Sequence, residues 1–178
     1  MKKGLSSVVL HNLMLDNTSR TRTVSWHDPQ VYLENLQAMD GITFLRSIVE
    51  GKMPTPPIGI LLDFSLEQIE PGRAVFIVKP AEQHYNPIGA VQGGLAAAVL
   101  DAAMGCAIQS TLPAGVGYTT VELHLNYIRP ITNDTGPLTG IGKIIHSGRR
   151  IATAEGHLTD TSGKLYAHST TTCMIFQP

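Results

Sequence analysis

The chain has 178 residues, a formal net charge of −1, 43% hydrophobic residues and 15% charged residues. That length suits one domain plus an extension, and the charge balance excludes a nucleic-acid footprint or a polybasic membrane patch. No apolar run approaches the ~18 residues of a transmembrane helix. The two cysteines, Cys106 and Cys173, sit in apolar company and read as free thiols of a reducing compartment, not as a disulfide framework.

The N-terminus, MKKGLSSVVLHNLML, lacks a continuous apolar core and a small-residue cleavage site. No secretory signal is expected, and the location expected is cytoplasmic. The first 26 residues are rich in Ser and Thr and poor in acids; a loosely ordered arm is expected, with an organellar transit peptide as the alternative. Asp28-Pro29 is a helix-start signal. The apolar positions from Val31 to Val49 fall at helical spacing, and Asp40-Gly41 splits them into two helices, the second ending at Gly51. Lys52 to Gly59 reads as a Pro-rich extended link. Residues 1–51 are thus an arm and helical extension, and 52–178 the main domain.

From Ile60 the period changes to two: Leu62, Phe64 and Leu66 alternate with Asp63, Ser65 and Glu67, which predicts a strand. After the turn at Glu70-Pro71-Gly72, Arg73 to Lys79 predicts its hairpin partner. Four further strands are expected over Thr119–Ile128, Leu138–His146, Arg149–Thr159 and Lys164–Phe176. In the first, Val121, Leu123, Leu125 and Tyr127 share one face. An antiparallel sheet joined by short turns needs a cover on one face, and the cover is the long apolar helix between the two groups of strands. The fold class is therefore α+β, with the order β-β-α-β-β-β-β.

That helix is where the chemistry concentrates. It starts at Gly93-Gly94 and is apolar nearly all round, the mark of a buried helix, yet it carries Asp101. No other charged residue or histidine occurs between His84 and Glu122. A carboxylate is almost never fully buried without a partner. Asp101 is either a catalytic carboxylate in a dry pocket or a structural one satisfied from elsewhere in the chain. The Gly-Gly pair stands where helix N–H groups lack internal partners and the macrodipole is positive. There an N–H can donate to a developing oxyanion, or the glycines simply permit close packing. Gly93 and Asp101 lie eight residues apart, or ~12 Å along a helix. An oxyanion donor and a base must both reach ~3 Å from one reacting centre. If both act, Gly93 of one subunit meets Asp101 of another, and the protein is an obligate dimer.

Several stretches together carry a likeness: Tyr85-Asn86-Pro87-Ile88-Gly89, Gly93-Gly94, Leu100-Asp101-Ala102-Ala103-Met104-Gly105, Thr119-Thr120-Val121-Glu122-Leu123, Asn126-Tyr127-Ile128-Arg129-Pro130 and His146-Ser147-Gly148-Arg149-Arg150. Gly51, Pro54, Pro56 and Pro57 fit as well. Over about residues 40 to 176 the chain resembles the hotdog-fold acyl-CoA thioesterases, in particular the phenylacetate-degradation (PaaI-type) branch. The resemblance implies a sheet wrapped around a long central helix. It implies hydrolysis of a small aryl- or fatty-acyl-CoA, with coenzyme A as part of the substrate and no separate cofactor. Asn86 would position the thioester carbonyl or the water, and the Gly93 amide would polarise the thioester oxygen. Asp101 would act as general base or nucleophile. Thr120, with Thr119 next, would place the water from the facing strand of the neighbouring subunit. Gln92 and Gly94 would border the substrate, and the turn His146, Gly148, Arg149, Arg150 would lie near the nucleotide, whose phosphates suit the two arginines. Ordinary solvated turn charge is the other reading of those arginines. Homodimers, assembling further as dimers of dimers, are implied.

The chain departs at Gln92, where many members of that family carry His; Gln hydrogen-bonds but does not titrate. This leaves a non-catalytic acyl-CoA-binding or regulatory hotdog protein as the alternative. A hotdog dehydratase is a third option and would need a histidine held against Asp101. The remaining histidines show no metal-ligand spacing, His84 reads as a loop residue, and Cys106 as a packing thiol. No G-x-S-x-G elbow is present.

Overall fold

The computed structural model describes residues 19–176, so the expectation for the first eighteen residues lies outside them. Residues 19–28 have no helix or strand but are not loose: the Arg22 guanidinium forks onto both carboxylate oxygens of Asp63 at 2.6 and 2.8 Å and donates to the Ile60 carbonyl. Two helices follow, α1 (Gln30–Ala38) and α2 (Gly41–Val49). Asp28 accepts the Gln30 amide, and Asp40 caps α2 by accepting the Thr43 amide at 2.9 Å. Gly51 supplies the left-handed residue (φ 69°) that follows.

The next stretch corrects the sequence reading. Pro57–Leu62 is a short helix, α3, rather than an extended link running into a strand. Pro57 stands at the first helical position, where its fixed φ is pre-organised and its missing N–H costs nothing. Asp63 ends the helix in the left-handed region (φ 57°), so the alternation of apolar residues becomes a strand only at Phe64.

Six strands form one antiparallel sheet: β1 (Phe64–Glu70), β2 (Arg73–Val78), β3 (Gly117–Tyr127), β4 (Leu138–Ser147), β5 (Ile151–Asp160) and β6 (Leu165–Phe176), in the spatial order β1-β2-β4-β5-β6-β3. Between β2 and β3 runs the central helix α4 (Gly93–Gln109). This is the hotdog arrangement, with the sheet wrapped around one helix. Val99, Leu100, Ala103, Met104, Ala107 and Ile108 of α4 are fully buried in the core, joined by Phe44 and Leu45 from α2. Among the described residues no helix is long and apolar enough to cross a membrane.

The sheet reaches this helix because β4 carries glycine where the two touch. A Cβ on Gly142 would lie 2.3 Å from the Ala103 carbonyl carbon and 2.5 Å from the Met104 nitrogen. Those are backbone atoms and cannot swing away. Gly142→Ala is expected to lose 1–3 kcal/mol, about the cost of overpacking a core, read as a lower midpoint in urea denaturation with an unchanged slope.

In β3 the register shifts between Thr120 and Glu122, leaving Val121 as the extra residue of a bulge. Val121 is consequently 57% exposed, whereas Leu123 and Leu125 are half-buried as the alternation requires. Tyr127, expected on the same face, is also 57% exposed. Among the described residues β3 pairs only with β6, and its other edge is open.

Candidate active site

Asp101 sits on the third turn of α4, half-buried, and its Oδ1 accepts the Thr120 hydroxyl at 2.8 Å. The partner comes from β3 of the same chain, next to the bulge. The two residues open into a groove of about 570 Å³ with Thr119, Tyr118 and Phe176. Leu33 and Leu36 of α1 form its other wall, so the extension roofs the carboxylate. Among the described residues no histidine hydrogen-bonds Asp101, and the arrangement a dehydratase would need is not formed there.

Gly93 and Asn86 line a different cleft, of about 340 Å³, with Tyr127 and Arg129. The Tyr127 hydroxyl donates to the Gly93 carbonyl at 3.1 Å, and a Cβ on Gly93 would lie 2.9 Å from the Tyr127 ring. Asn86 Oδ1 accepts the Ile88 and Ala90 amides at 3.1 and 3.2 Å. It therefore shapes the loop that delivers the chain to α4. Gln92 precedes the helix without capping it through its side chain, and both Gln92 and Gly94 are exposed at that end.

The basic turn borders a third groove, of about 660 Å³, lined by Gly148, Arg149 and Arg150 together with Phe176. Phe176 also lines the Asp101 groove, so the two grooves share a wall. His146 is exposed and packs on Gly148, where a Cβ would lie 2.9 Å from its Nε2. The predicted residues thus form three groups. Asp101, Thr119 and Thr120 make one; Asn86 and Gly93 the second; Gly148, Arg149 and Arg150 the third.

Nearby titratable groups are held neutral. Burial, reinforced by the Asp101 charge, pushes the Cys106 thiol up to about 12, and a thiol so protonated is no nucleophile. His84 is buried, with Nδ1 accepting the Ala81 amide and Nε2 3.4 Å from Asp63; burial lowers its pKa. It lines none of the three grooves and ends the short 3-10 turn Glu82–His84.

Three contributions escaped the sequence reading. Tyr127 covers Gly93, Tyr118 lies against Gly105, and α1 walls the Asp101 groove. Tyr127 carried a signal, standing in one of the family-like stretches. The other two arise from contacts between distant segments and have no local signature.

The thioesterase superfamily model matches residues 88–167, which contain both α4 and Thr120. Candidate esterase SSO2140 of Saccharolobus solfataricus is 30% identical over 123 residues, 69% of this chain and 86% of its own. Acyl-coenzyme A thioesterase 13 of Mus musculus is 27% identical over 125 residues, 69% of this chain and 88% of its own. Among solved structures, a candidate thioesterase from Ralstonia eutropha JMP134, described as phenylacetic acid degradation-related, superposes with TM-score 0.66 at 29% identity, covering 73% of this chain and 98% of that one. The E. coli PaaI protein superposes with TM-score 0.66 at 16% identity, covering 74% and 93%, a likeness of fold.

Proposed function

The chain belongs to the thioesterase superfamily and is a thioester hydrolase, and we propose that it hydrolyses a small aryl- or fatty-acyl-CoA to the free acid and coenzyme A at a site built around Asp101. The observation that carries this reading is the Thr120–Asp101 hydrogen bond of 2.8 Å inside a groove large enough for a ligand. It fixes the carboxylate in one orientation and leaves its second oxygen for a water or for the thioester carbonyl. The relationship to an acyl-coenzyme A thioesterase supports the substrate class, and the Arg149–Arg150 groove adjoining through Phe176 is a place for the phosphates.

As general base, Asp101 takes a proton from water while the hydroxide adds to the thioester carbonyl. The oxyanion so formed accepts from the Gly93 N–H. Collapse breaks the C–S bond, and the departing thiolate takes the proton back from Asp101. As nucleophile, Asp101 adds to the carbonyl and the C–S bond breaks to release the CoA thiolate; water then cleaves the resulting anhydride, freeing the acid and Asp101, and the proton released ends on the thiolate. Either route needs Gly93 within ~3 Å of the carbonyl that Asp101 serves. In one chain the two residues line separate cavities. The site is therefore completed by a second copy, which brings its own Gly93 and Asn86 to this Asp101. The open β3 edge, with Val121 exposed beside Thr120, is the surface available for that copy, and a two-fold pairing makes two equal sites. Such pairs are expected to assemble as dimers of dimers.

The test is thiol release from a panel of acyl-CoAs of increasing chain length, with an aryl-CoA included. Saturable hydrolysis of at least one is expected. Tight acyl-CoA binding by calorimetry without turnover would overturn this reading in favour of a binding protein, and Gln92 would then be the residue to explain.

A further inference from the structure

A fourth cavity, of about 340 Å³, lies between the helical extension and the other flank of α4. Its walls include Phe44 and Ile48 of α2, Ile58 of α3, Phe76 of β2, and Ala102 and Cys106 of α4, and among the described residues no charged side chain lines it. Ala102 and Cys106 are four residues apart, so they share one stripe of the helix. Both remain half-buried in the middle of a helix whose intervening residues Ala103, Met104 and Gly105 are fully buried. The stripe faces a void. Protein interiors leave few voids larger than a water molecule, and a cavity of this size matches those that hold small ligands.

One residue joins this cavity to the candidate active site. Tyr118 lines both it and the Asp101 groove. Its ring lies in a notch of α4 that exists only because residue 105 is glycine: a Cβ there would be 2.1 Å from the Tyr118 hydroxyl oxygen and 2.7 Å from Cζ. Burial, with the neighbouring Cys106, Asp101 and Cys173 adding to it, keeps this phenol neutral. A wall residue shared by the two spaces is thus an uncharged side chain, seated one helical turn from the carboxylate.

We propose that this cavity receives the acyl or aryl group of the thioester, with Tyr118 as the gate, so that α2 of the extension and α3 after it set the length and shape of acyl group accepted. The inference rests on the reading of Asp101 as the centre of thioester hydrolysis. It adds a specificity role for helices that lie outside the family match, which begins at residue 88. With CoA on the basic turn as proposed, the groove at Asp101 adjoins the nucleotide groove through Phe176 and the uncharged cavity through Tyr118, which leaves that cavity for the acyl group.

The experiment fills the cavity from the walls remote from Asp101. Ile48→Trp and Ile58→Trp are made separately in the full chain, and kcat/KM is measured for acetyl-, hexanoyl-, decanoyl- and benzoyl-CoA. Ile58 is 51% exposed at the cavity wall, so its replacement leaves the fold testable where Ile48→Trp does not. The ratio of kcat/KM for hexanoyl-CoA over acetyl-CoA is expected to fall about tenfold or more in each folded variant, mainly through KM, because a pocket discriminates by roughly that much for each methylene it loses. A ratio within twofold of the unsubstituted chain, with hydrolysis intact, would overturn the inference. Failure of the unsubstituted chain to hydrolyse any of the thioesters would instead overturn the reading of Asp101.

Discussion

Asp101→Asn is expected to lower kcat for acyl-CoA hydrolysis by about 10²–10⁴, the range that follows loss of a positioned acid–base group. The substitution is nearly isosteric. Asn keeps a carbonyl oxygen that can accept the Thr120 hydroxyl, so the 2.8 Å contact survives. What disappears is the ability to take a proton or to attack a carbonyl as an anion. The fold should be retained, because the surrounding groove is half-exposed and a neutral amide is no harder to keep there than a carboxylate. The decisive comparison pairs turnover with affinity. Thiol release collapses while KM and the denaturation midpoint change little, since the residue serves the reacting centre and not the bulk of the substrate. Wild-type turnover in this variant would remove Asp101 from the mechanism.

Much of the candidate site is legible in the sequence. A lone carboxylate in an apolar helix is an anomaly that burial energetics forces a reader to explain, and the Gly-Gly pair marks the start of the same helix. The rise of that helix separates Gly93 from Asp101, and the structure places them in different cavities accordingly. The strands are legible because alternation has a period of two. It misleads at two places for local reasons. At Val121 the β3 bulge adds a residue and turns an apolar side chain outward. At Pro57 the two consecutive prolines look like an extended link, but the second is a good first residue for a helix. The walls supplied by α1 and α2 are not legible at all. Leu33 and Ile48 satisfy a helical pattern whichever surface they cover, and only the docking of the extension decides that they border cavities beside Asp101. That docking depends on a further glycine, since a Cβ on Gly41 would overlap the Gln109 carbonyl oxygen at 1.8 Å. No periodicity announces such a contact.

Mixing two inactive variants should restore activity, and this outcome separates a site shared between subunits from one confined to a single chain. Gly93→Pro removes the N–H proposed to hold the oxyanion. The position tolerates it: Gly93 is the first residue of α4, where proline is accommodated, and Gln92 before it has φ −59° and ψ 132°, the extended conformation a proline requires of its predecessor. The new ring carbons meet the far end of Tyr127, an exposed side chain that can yield toward solvent by giving up its hydrogen bond to the Gly93 carbonyl. Loss of one such donor is expected to lower kcat by about 10²–10³. Gly93→Pro and Asp101→Asn homodimers are each inactive by these margins. When the two chains are unfolded together, refolded at equal concentration and allowed to pair at random, half of the dimers are mixed. In a mixed dimer one site combines the intact Gly93 of one protomer with the intact Asp101 of the other, and the second site lacks both. Activity should therefore return to about one quarter of wild type, as a two-fold dimer with two equal sites requires. If Gly93 and Asp101 served one site within a single protomer, no mixed dimer would contain an intact pair and the mixture would stay as inactive as its components. Size-exclusion chromatography of the refolded mixture supplies the control, because recovery has meaning only where the dimer has formed.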